Sequence, residues 1–217
     1  MKPAISALGA SLVLVAAGMP LAAQVTSDAP APRPEAIIDL ATEAGVSLVK
    51  GQWRYADARI VEVDHREPGP DLRASGRPNR TTDIEPKAGA AGFNDSSWDT
   101  FAPAELHRRR THGRLSFGWY RIAVTVPDKI GDFDPTGSTI VFEVVVDDYA
   151  EIWVDGKLEP ALGQVGGRVI RGFNAPNRVV IGRDVRPGQR IELAVGRGVA
   201  GVTQQDLGSG LGALHDR

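Results

Sequence analysis

The sequence predicts an all-β chain, a sandwich of two antiparallel sheets around an aliphatic core, and three observations carry that prediction. Three segments alternate apolar and polar residues with period two, Gly and Pro turn signals separate the apolar runs, and helical periodicity is almost absent after residue 50. Strands joined by short turns, with no helices between them, mean a sandwich or a barrel and exclude a parallel sheet, whose crossovers need about a dozen residues or more.

The chain opens with Lys2, an apolar and small-residue run from Ala4 to Gly18, and then Met19-Pro20-Leu21-Ala22-Ala23. A basic start, an h-region short of the roughly 20 apolar residues of a membrane span, and small residues at its end read as a secretory signal over 1–23. A retained anchor is the alternative reading of the same segment. Export implies a secreted or periplasmic protein, and no later stretch is apolar enough to enter a membrane. Residues 24–36, with Pro30, Pro32 and Pro34 among Ser, Thr and Ala, read as an extended linker. Residues 37–49 are either a short helix or a loose lead-in, so the bounds are set at 24–48 for linker or lead-in and 49–195 for the sandwich.

Within 49–195, the runs 53–63 and 140–146 are rich in Ile, Val and aromatics and predict more fully buried strands. Between them, 64–92 carries Pro68, Pro70, Pro78 and Pro86 and predicts a long surface excursion, a place to look for binding. In 121–126, Ile122, Val124 and Val126 oppose Arg121, Ala123 and Thr125; in 149–154, Ile152 and Val154 oppose Glu151 and Trp153; in 190–195, Ile191, Leu193 and Val195 oppose Arg190, Glu192 and Ala194. Each pattern is that of a half-buried strand. Asp155-Gly156 predicts a tight hairpin, and Pro187-Gly188 a second one before the strand at 190. Residues 196–217 show no strand pattern and read as an atypical tail, such as a truncated or frameshifted reading frame would produce.

Composition narrows the function classes. The chain has 25 Lys and Arg against 27 Asp and Glu; loss of the signal removes Lys2 and no acid, leaving a net charge of about −3. A mildly acidic surface argues against nucleic acid as a partner, which would require a clustered basic footprint. Cysteine is absent, so an exported chain of this kind depends on a buried core rather than disulfides.

Several motifs run together from residue 93. They are Phe93-Asn94-Asp95-Ser96-Ser97-Trp98, Pro103, Gly118-Trp119-Tyr120-Arg121, Val146-Asp147-Asp148-Tyr149-Ala150-Glu151-Ile152-Trp153-Val154-Asp155-Gly156-Lys157, the loop Gly163 to Gly167, and Pro187-Gly188. In this combination the chain resembles the galactose-binding-like, N-terminal sugar-binding jelly roll of glycoside hydrolase family two, with Asp155 and Gln189 where Asn is usual. With Gly172-Phe173-Asn174-Ala175-Pro176-Asn177-Arg178-Val179 added, it is similar to the domain that precedes the β-propeller in some secreted gluconolactonase-like proteins. The resemblance covers about 49–195. It implies a jelly-roll topology and strand-anchoring roles for Trp98, Trp119, Tyr120 and Gly156; the lactonase chemistry it implies would sit on a propeller for which 217 residues leave no room.

Aromatic rings stack on sugar faces, so the four tryptophans are weighed as ligand contacts or as packing. Trp98 and Trp119 read as packing; Trp153, beside Tyr149 and Glu151, is the better ligand candidate, with burial against the second sheet as the alternative. Asp147, Asp148 and Glu151 place three carboxylates within five residues. With Trp153, Tyr149 and Arg121 they are the candidate ligand contacts, suited to sugar hydroxyls, an oxygen-ligated cation such as calcium or an acid/base pair; the alternative is an ion pair from one of them to Arg121 or Arg171 with turn capping by another. Adjacent Asp147 and Asp148 point to opposite faces of a strand and cannot flank one glycosidic bond. No Gly-x-Ser-x-Gly elbow, phosphate-cradling loop or thiol is present, and His107 and His112, around Arg108-Arg109-Arg110, have no zinc spacing.

The expected function is a non-catalytic carbohydrate-binding or accessory domain next to a catalytic neighbour. A fragment of a gluconolactonase-like hydrolase and an envelope protein-protein module using 64–92 are the rivals.

Overall fold

The computed structural model of the chain describes residues 33–106, 115–146, 149–163, 167–171, 175–200 and 211–216. The expected signal, and candidates Asp147 and Asp148, lie outside them. The described residues are all-β. Two antiparallel sheets curl around one apolar core, as in a β-sandwich.

The smaller sheet has four strands in the order β1 (Ile37–Asp39), β12 (Leu211–Asp216), β6 (Ile140–Val146) and β10 (Ala175–Gly182). The larger runs β3 (Pro78–Glu85), β2 (Arg54–Arg66), β5 (Leu115–Thr125), β11 (Arg190–Ala200), β7 (Tyr149–Val154) and β8 (Lys157–Leu158), with β4 (Asp99–Thr100) on β2 and β9 (Val169–Arg171) on β7.

The three alternating segments fall where period two puts them. Ile122 and Val124 of β5, Ile152 and Val154 of β7, and Ile191, Leu193 and Val195 of β11 enter the core opposite Phe142 and Val144 of β6 and Val179 and Ile181 of β10. Asp155-Gly156 makes the expected hairpin from β7 to β8, with both residues at positive φ, 47° and 81°, as a two-residue primed turn requires.

Five expectations change. Of the two readings of 37–49 the short helix holds, at Glu43–Leu48, α1, whose Thr42 hydroxyl accepts from the Gly45 amide, but the bound at 49 does not, because β1 before it already joins the smaller sheet. Ile38, Leu40, Val46 and Val49 are buried in the core, so the folded unit starts before residue 49.

The run 53–63 is a strand but is buried only at its start, at Trp53 and Tyr55; beyond it β2 leaves the body of the sheet. There it pairs with β3 from Arg59↔Glu85 to Arg66↔Pro78, so much of the supposed 64–92 excursion is a β-ribbon. Along it the half-buried Val61 and Val63 alternate with the exposed Glu62 and Asp64, while Pro68 and Pro70 lie in the loop at its tip and Pro86 follows Glu85.

Pro187-Gly188 does not join two paired strands. The chain before it, β10, lies in the smaller sheet and β11 in the larger, so the turn belongs to a crossing between sheets. Residues 196–217 are not without strands: β11 continues to Ala200, and β12 inserts between β1 and β6. Pairing partners on both sides, rather than an apolar pattern of its own, place β12 in the sheet.

Candidate functional site

The site lies on the outer face of the larger sheet, the face turned away from the core. β11 contributes Ala194, Gly196 and Gly198 to that face, small residues at alternate positions. In register beside them stand Arg121, Trp119 and Phe117 of β5 on one side and Trp153, Glu151 and Tyr149 of β7 on the other. A Cβ on Gly196 would lie 3.0 Å from the Trp119 ring, and one on Gly198 would lie 2.6 Å from Phe117. The glycines are therefore the floor on which the neighbouring rings lie. Phe117 and Tyr149 meet edge to face over this floor at 6.5 Å.

The loop after β3 covers part of the face. Ala88, Trp119 and Ala194 are buried together as a second apolar cluster, with Ala58, Phe93, Trp98 and Trp153 packed against it. Gly89 lies so close to the Trp153 indole that a side chain there would overlap the ring. Arg121 clasps the loop. Its side chain is 6% exposed; Nε donates to Asp95 at 2.9 Å, another guanidinium nitrogen donates to the Ala88 carbonyl, Glu192 lies 3.5 Å away, and the Phe93 ring centroid 5.4 Å away. Arg54 holds the other side of Asp95, at 3.7 Å, and donates to the Asp95 and Ser96 carbonyls.

Trp153 points outward, not against the second sheet. Its Nε1 donates to Glu151 at 2.9 Å, and the Tyr149 hydroxyl donates to the other carboxylate oxygen, so a Tyr-Glu-Trp ladder runs along β7. Glu151 is thus not paired with Arg121, whose acidic partners are Asp95 and Glu192. Arg121 moves from ligand candidate to loop clasp because its guanidinium is taken up by protein groups. Trp98 and Trp119 do pack, but outside the sandwich; Tyr120 is in the core, with its ring 4.9 Å from that of Tyr55. Among the described residues no group of three His, Asp or Glu side chains is arranged to hold a metal.

Between Trp119, Glu151 and Trp153 on the sheet and Asp83, Ile84 and Lys87 at the base of the ribbon is a cleft of about 400 Å³, within the range of small-ligand sites. Asp83, Lys87, Gly89 and the glycines of β11 were not singled out by sequence. The one local signal was glycine at alternate positions of an otherwise apolar strand, Gly196 and Gly198.

Asp83 accepts from Lys87 and from the Ile84 amide, and these bonds, Lys87 first, hold its carboxyl below the usual aspartate range. A lowered folded-state pKa means the pair's contribution is present above the ordinary aspartate value of about 3.9 and is lost as pH falls through the lower folded value. Carbon-detected titration should therefore place the Asp83 midpoint below that of a free aspartate. Lys87→Met should raise it; an unchanged midpoint in the variant would remove Lys87 as the cause.

Chemically, the cleft offers an aromatic surface, an ion pair on one wall, and a carboxylate already committed to two donors. Such a set orients a ring with an apolar face and polar edges. Scanned against models of protein families the chain matches none, and a search of curated proteins finds no match to it.

Proposed function

We propose that this chain is an exported, non-catalytic domain of the galactose-binding-like, jelly-roll kind that binds carbohydrate, or positions a neighbouring catalytic domain, in a carbohydrate-active or gluconolactonase-like protein. One observation carries the reading: an outward-facing tryptophan, its ring nitrogen oriented by Glu151, stands at a cleft large enough for a sugar unit. A sugar ring presents an apolar face to an indole and hydroxyls to the flanking Asp83 and Lys87. Glu151 serves this site by fixing the ring. With both its oxygens accepting from the chain, it does not form the paired acid and base of a glycosidase.

Retardation on polysaccharide affinity gels tests the proposal. The wild-type chain should be retarded, and Trp153→Ala should lose about tenfold in affinity, an effect of the size seen when a base loses its aromatic stacking partner, about 1–3 kcal/mol. Lactone hydrolysis by the purified chain would favour the hydrolase reading instead. No retention on any gel, with a protein partner co-purifying, would favour the interaction module.

A further inference from the structure

We infer that Arg197 forms a second ligand site, separate from the outer cleft, that takes a carboxylate into the mouth between the two sheets. Along β11 the residues Ile191, Leu193 and Val195 face the core, so the pleat turns Arg197 to the same side, at the end of the strand where the core stops. In its row across the sheet stand Asp57 of β2, Gly118 of β5 and Ala150 of β7. Gly118 has no side chain to fill the gap between Asp57 and Arg197. The Tyr55 ring fills it instead, 2.9 Å from where a Cβ of Gly118 would be, and its hydroxyl donates to Asp57 at 2.6 Å. Asp57, the acid in Arg197's own row, is thereby bonded to Tyr55.

Arg197 keeps one buried donor that this bond does not answer. Nε of Arg197 is buried without a hydrogen-bond partner, and among the described residues no ion pair reaches its guanidinium. A guanidinium stays protonated at any physiological pH, and burying one of its donors unpaired is costly. The residue as a whole is only half-buried, so part of its side chain is open to solvent although Nε is not. The planar fork matches a carboxylate with two parallel hydrogen bonds, and the flanking Ala150 and buried Ile170 give an apolar wall for the remainder of the molecule. An acidic sugar, a hexuronate, has this chemistry.

Isothermal titration with galacturonate, and with galactose as the neutral control, tests the assignment on the full chain. Galacturonate should bind the wild type, and Arg197→Met should weaken it about tenfold or more, the effect of losing hydrogen bonds from a charged donor. Arg197→Lys keeps the charge without the fork, and should retain only part of the affinity; it also serves if the Met variant does not fold. Arg197→Met should keep the retardation on neutral polysaccharide gels, which separates failure of this site from failure of the outer cleft. Equal galacturonate affinity in wild type and Arg197→Met would overturn the inference. So would a double-mutant cycle in which Arg197→Met and Asp148→Asn shift the melting temperature non-additively, because the guanidinium would then be answered from within the chain.

Discussion

Trp53→Ala is expected to destabilise the protein by about 3–5 kcal/mol, the cost of deleting a large aromatic from a close-packed core. Trp53 is completely buried, and it does more than fill volume: its Nε1 donates to the Leu40 carbonyl at 2.9 Å, so the ring ties the segment from β1 to α1 onto the larger sheet. Alanine removes both the packing and the donor, and leaves the carbonyl of a buried residue without it. Trp53→Phe separates the two, keeping most of the apolar area and losing the bond, for about 1–2 kcal/mol. Denaturant midpoints measure both. Amide exchange at Val46 and Val49 should quicken in the Phe variant as the lead-in loosens. A loss below about 1 kcal/mol for Ala would mean that the lead-in is not docked through this ring.

Arg121→Met has the second large expected effect, about 2–4 kcal/mol. That is somewhat below the usual cost of breaking a buried ion pair, because Arg54 stays beside Asp95 and Asp95 itself is partly exposed. The change withdraws the cation from Asp95, Glu192 and the Ala88 carbonyl at one stroke, which frees the loop that walls the cleft. Carbohydrate retention should therefore fall together with stability. Asp95→Asn, which keeps the shape of the acid, should give a smaller loss of the same kind. Unchanged stability in Arg121→Met would show that the loop is held by its Phe93 and Trp98 contacts alone.

The strands of the body were legible wherever one face is apolar and the other polar, as in 121–126, 149–154 and 190–195, because a pleat converts period two directly into inside and outside. The outward direction of Trp153 followed from the same rule. The candidate site was legible on β7 alone, at Tyr149, Glu151 and Trp153, since those residues are neighbours in sequence as well as in space.

What sequence by itself determined is the β character of this chain, the inward set of each alternating strand and the Asp155-Gly156 turn, all of which depend on residues no more than a few positions apart. Only the tertiary structure decided that Asp95 answers Arg121, that the glycines of β11 lie under Trp119 and Phe117, that β2 and β3 leave the body as a ribbon, and that 37–49 and 211–216 take up places in the smaller sheet. These are contacts between segments distant along the chain. Their partners are chosen by packing and by the satisfaction of buried charge, and neither leaves a periodic trace in the local sequence.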